Sequence, residues 1–155
     1  MSAIKSFLLA IDLATRKRDE VAQALMRVQS AQLFAQDQMS QLEVYADETA
    51  SRWTVAAQSG TTPELLRHHY QFLDRLQHAI GLQQGVLANE TRKVDQAKRL
   101  MLEAEFRLLS LQQVMKKKQA GLALIQSRRE QKQMDEFAAL QTRRASTGYF
   151  RGDQL

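Results

Sequence analysis

Apolar positions recur along this chain in alternating steps of three and four. The first series reads Ile11, Ala14, Arg18, Val21, Leu25, Val28, Gln32, Ala35, Met39, Leu42, Ala46, Thr49 and Trp53, with Arg18 and Gln32 as its polar exceptions. Such spacing keeps every member on one side of an α-helix. Sustained over six heptads, it is the signature of a coiled-coil seam. A second series reads Leu76, Ile80, Gln83, Leu87, Glu90, Val94, Ala97, Met101, Ala104, Leu108, Leu111, Met115, Lys118, Leu122 and Ile125. The two seams predict helices over residues 3–58 and 64–142.

The period breaks at Ser59-Gly60-Thr61-Thr62-Pro63-Glu64, which holds the chain's one proline. Thr62 suits a helix N-cap, Pro63 the first helical position and Glu64 the first turn. The reversal of direction therefore falls at residues 59–63. The expected fold is all-α: a long antiparallel two-helix coiled-coil hairpin over residues 1–144, with room for a short separate helix near the turn over Thr62–Tyr70. A parallel homodimer would satisfy the same heptads, but the turn-forming residues favour the hairpin. Gly81 and Gly85 fall early in the second helix, where each costs about 1 kcal/mol relative to alanine. They fit a bend, a close helix contact or a tolerated surface position. From Thr142 the apolar period lapses, and residues 145–155 are expected to be a disordered tail.

Composition narrows the chemistry. The chain has no cysteine, so disulfides, thiolate catalysis and Cys-ligated zinc are excluded. Six glycines and one proline in 155 residues leave too few turns for an α/β or all-β domain. No Gly-rich phosphate-binding string occurs. His68 and His69 are adjacent and diverge around a helix, and His78 does not share a turn with either, so no metal site is expected. No serine sits in a nucleophile elbow, and Glu103 and Glu105 diverge. A two-helix hairpin offers no deep pocket. Neither an enzyme nor a cofactor is expected. The apolar run Phe7–Ile11 is too short to cross a bilayer and is not shaped as a secretory signal. The expectation is an intracellular, soluble chain with no transmembrane segment.

Charge is uneven. Residues 1–60 hold six basic and seven acidic side chains, net −1, whereas residues 92–132 hold eleven basic and four acidic, net +7. With a pI near 9.7, phosphate contacts by Lys116-Lys117-Lys118 and Arg128-Arg129 were weighed. The basic residues do not alternate with aromatics and form no dense block before a zipper, so nucleic acid is not the expected partner. A solvated helix face with pairs such as Arg99 and Glu103 fits the same residues.

One string stands out from the coiled-coil background: Gln131-Lys132-Gln133-Met134-Asp135-Glu136-Phe137-Ala138, following Arg128-Arg129. Together with a helix pair of this length broken near residue 60, it resembles the C-terminal signature of the FliJ family, coiled-coil components of the flagellar type III export apparatus. The resemblance covers roughly residues 10–144. It implies a non-enzymatic adaptor that looks like the stalk subunit of rotary ATPases. Its partners would be the hexameric export ATPase, the cytoplasmic domain of the export gate and empty export chaperones, which it would hand on to new substrates. It also implies a cytoplasmic protein, peripheral at the inner face of the cell membrane at the flagellar base and held there through its partners. The positions that resemble the family's gate-binding surface are Gln38, Leu42 and Tyr45 on the first helix and Phe72, Leu76, Ala79 and Gln83 on the second. Two positions depart from it: Thr49 replaces an aromatic, for which Trp53 one turn on could compensate, and Gln83 replaces a histidine. The plain alternative for Leu42, Leu76 and Ala79 is seam packing. A generic coiled-coil scaffold, or a substrate chaperone of a related secretion system, is the alternative function.

Overall fold

The computed structural model describes residues 2–152, with side chains for 3–148. Two helices account for it, α1 (Ser2–Gln58) and α2 (Pro63–Gly152), and no strand occurs among the described residues. The fold is the all-α antiparallel hairpin that the seams predict. The reversal is built as the sequence indicates. Ser59 and Gly60 donate their N–H groups back to the carbonyls of Ala56 and Ala57, at 3.1 and 3.2 Å. Gly60 has φ = 96°, a left-handed conformation that ends a helix at little cost only for glycine. Two residues on, the Thr62 hydroxyl accepts the Leu65 N–H at 3.2 Å, capping α2 ahead of Pro63 and Glu64.

The helices group into two compact units, one formed by Asp12–Leu108 and the other by the segments up to Ile11 and from Leu109. In the first unit, cross-helix partners descend along α1 as they ascend along α2. Trp53 stacks on His69, Tyr45 meets Phe72, and Gln32 reaches Thr91. The core is the seam itself: Ala14, Val21, Ala35, Met39, Leu76, Val94, Ala97, Ala104 and Leu108 are buried. Short alanines alternating with Met, Leu and Val let the helices interlock.

Polar seam positions are accommodated by local partners. Gln32 Nε2 donates to Thr91 Oγ1 at 3.2 Å, and that hydroxyl donates to the Leu87 carbonyl at 2.9 Å. The Arg18 guanidinium lies on Asp19 at 2.9 Å, and Glu90 takes the Lys93 ammonium at 3.5 Å. Among the described residues no buried side-chain polar atom lacks a partner, as interior packing requires.

In the second unit Ile4, Phe7, Ala10, Ile11 and Leu111 are half-buried and Met115 is buried. The Lys118 ammonium lies 4.3 Å from the centroid of the Phe7 ring, a cation–π contact. Beyond this point α1 has no residues left to offer, because α2 has 90 residues and α1 has 57. From Lys116 to Gly148 every position is exposed.

Four expectations change. The separate short helix over Thr62–Tyr70 is instead the opening of α2, since no breaker follows Pro63 and Leu66, His69 and Leu73 carry the seam into the turn. The tail expected to be disordered is helical through Gly152. There Thr142, Ser146 and Thr147 return their hydroxyls to the carbonyls of Ala138 and Arg143, while residues 153–155 lie outside the described residues. Lys118, Leu122 and Ile125 keep the seam spacing but are exposed. Arg99 and Glu103 do not form an ion pair; the exposed pair of that i,i+4 kind is Asp12 with Arg16, at 3.1 Å. Gly81 and Gly85 are surface positions, with nothing within 4 Å of an added Cβ.

Candidate functional site

Seven positions were singled out for the gate-facing surface, and all lie in the unit Asp12–Leu108. Helix α1 supplies Gln38, Leu42 and Tyr45 from about two turns; α2 supplies Phe72, Leu76, Ala79 and Gln83 from about three. The antiparallel register sets these two stretches side by side. At one end Tyr45 and Phe72 meet edge-to-face, with ring centroids 5.8 Å apart and planes at 82°. This is the preferred arrangement of two aromatic quadrupoles. Tyr45 remains 47% and Phe72 36% exposed, so the pair packs on itself and still presents ring surface to water. At the other end Gln83 Nε2 donates to the Ala35 carbonyl at 2.8 Å and approaches Gln38 Oε1 at 3.4 Å. Gln83 is thus turned toward α1, and Gln38 is the exposed partner of the two.

Between these ends the packing reading holds for Leu76, which is buried at 7% exposure. Leu42 and Ala79 are half-buried. A partner approaching this face would meet Gln38, Tyr45 and Phe72 first, over a floor made by the other four. Trp53 stacks flat on His69, at 4.0 Å between centroids and 9° between planes. It is half-buried in the seam beside Thr49, so its ring is engaged within the hairpin.

The signature residues Gln131, Lys132, Met134, Asp135, Glu136 and Phe137 are all exposed on α2 in the other unit. Met134 and Phe137 border a shallow recess with Glu130, Gln133, Ala138 and Gln141. The recess is formed by one helix alone. Among the described residues no three of His, Cys, Asp and Glu gather so as to hold a metal ion, and no helix is long and apolar enough to cross a membrane.

Sequence reasoning missed the Tyr45–Phe72 contact. Each ring lies off its own seam, and only the register across helices joins them. It also missed Ile4 and Phe7, which continue the first seam backwards in steps of three and four. Extending the period toward the N-terminus would have found both.

Fold and surface together define an all-α helical hairpin whose candidate functional groups are exposed side chains on helix faces. A family model described as Flagellar FliJ protein matches residues 5–147. The Flagellar FliJ protein of Salmonella typhi is 30% identical over 127 residues, covering 82% of this chain and 86% of that protein. That of Escherichia coli (strain K12) is 28% identical over the same length and coverage. The chain belongs to the flagellar FliJ family.

Proposed function

We propose that this chain is a non-enzymatic adaptor of the flagellar type III export apparatus. It bridges the export ATPase hexamer and the cytoplasmic domain of the export gate, and it receives empty export chaperones for transfer to new substrates. It acts in the cytoplasm, peripheral at the inner face of the membrane at the flagellar base, and is held there by its partners. Membership of the flagellar FliJ family over residues 5–147 supports the setting. The observation that carries the gate contact is the Tyr45–Phe72 pair. It is exposed, joins both helices and is flanked by Gln38, and aromatic anchors dominate interface energetics. The ATPase contact is assigned to the unit holding both chain ends, with its lysines 116–118 and Arg128-Arg129.

Calorimetric titration of the double variant Tyr45→Ala/Phe72→Ala against the gate's cytoplasmic domain tests this reading. Loss of two anchors should weaken binding by roughly thirtyfold, or about 2 kcal/mol. Circular dichroism should stay near wild type and ATPase binding should be unchanged. Wild-type affinity in a folded double variant removes the gate assignment. Loss of helicity makes the pair structural. Capture of a secreted cargo, with no binding to ATPase or gate, favours a substrate chaperone instead.

A further inference from the structure

The exposed stretch of α2 has an apolar pattern of its own. Leu122, Ile125, Phe137 and Leu140 are between 48 and 63% exposed and carry no packing partner from α1. With Arg129 and Gln133 they form a series spaced 3, 4, 4, 4, 3, which reads the same in both directions about Gln131. At 3.6 residues per turn the six lie in a stripe roughly 120° wide. A palindromic stripe is self-complementary to an antiparallel copy of itself, the geometry of a two-fold interface. Pairing about Gln131 sets Leu122 against Leu140 of the second copy, Ile125 against Phe137, and Arg129 against Gln133.

The charges obey the same symmetry. Residues 122–140 hold Arg128, Arg129 and Lys132 against Glu130, Asp135 and Glu136, so the segment is neutral within a basic chain. The arginine pair lies before the centre and the acidic pair after it. Antiparallel pairing brings each pair beside its opposite and sets Glu130 against Lys132. Parallel pairing would set like against like, which is the arrangement that e and g charges select against in coiled coils.

We infer that residues 122–140 of α2 form an antiparallel homodimer interface, with a two-fold axis at Gln131. The occupant is a second copy of this chain. The interface is independent of the Tyr45–Phe72 surface and of the gate assignment.

Sedimentation equilibrium of the full chain should show a reversible species of twice 17.7 kDa. The chain has no cysteine, so single spin labels can be placed at will. Copies labelled at Gln131 should lie next to each other. Copies labelled at Ala145 should lie about 42 Å apart, from 28 residues at 1.5 Å each. Equal short distances at both sites, or a monomer persisting to about 1 mM, would overturn the inference. Charge exchange gives a second test that leaves the apolar stripe intact. Arg128→Glu/Arg129→Glu alone and Asp135→Lys/Glu136→Lys alone should each lose at least tenfold in self-affinity, while an equimolar mixture of the two should dimerise as wild type does. Full self-association of either variant, or a mixture that remains monomeric with helicity intact, would likewise overturn it.

Discussion

Two stretches of α2 carry one apolar period and meet opposite fates. Between Leu76 and Met115 the seam positions are buried or half-buried; from Lys118 through Ile125 they stand in water. Nothing in local spacing separates them. Periodicity specifies which face of a helix is apolar, and burial depends on whether another helix has residues to set against it. α1 is spent by that point, so the same code that makes a core in one stretch leaves a free surface in the next.

The largest test of this contrast compares two leucines. Leu108 is 4% exposed and Leu122 is 49% exposed. Leu108→Ala removes packed methyl groups and should cost about 2–4 kcal/mol in urea unfolding. Leu122→Ala, measured in dilute solution where the chain is monomeric, should stay within about 0.5 kcal/mol. Equal losses would mean that the stretch beyond Lys116 is packed after all. A smaller effect is expected at the cap. Thr62→Ala removes the acceptor for the Leu65 N–H and should cost about 1 kcal/mol. Amide exchange should speed up within Asp12–Leu108 and stay unchanged over residues 116–148. Acceleration in both would join them into one cooperative unit. The smallest expected effect is a gain. An added Cβ meets no atom within 4 Å at Gly85 or Gly121, so alanine should favour the helix by about 1 kcal/mol at each. Gly85→Ala should raise the unfolding midpoint of the hairpin. Gly121→Ala should raise only local helicity, and a matching midpoint shift would contradict the division.

The seams, the turn and the cap were legible because each rests on local chemistry. All thirteen positions of the first seam are buried or half-buried, Arg18 and Gln32 included. What stayed hidden depends on register. The exposure of Leu122 follows from the relative lengths of two helices, and the Tyr45–Phe72 contact from which turns lie abreast. His69 concealed the start of the second seam because a histidine does not read as apolar, yet stacked on Trp53 it packs as one. The continuous α2 was obscured by the turn signals around Pro63, which begin a helix as readily as they bound a short one. The gate-facing positions came from the family resemblance. No periodicity would have selected Gln38 or Ala79.

The core of alanines and single aliphatic side chains has a thermal consequence. Among the described residues no large side chain is fully buried, and the chain leaves 13,032 Å² of surface in water, where a compact monomer of this mass leaves about 8,000 Å². The heat capacity of unfolding scales with the apolar area newly hydrated, so per residue it should fall below the ~12–15 cal/mol/K of globular domains. A small heat capacity flattens the curve of stability against temperature. The hairpin should therefore hold nearly constant stability from cold to warm and melt over a broad range.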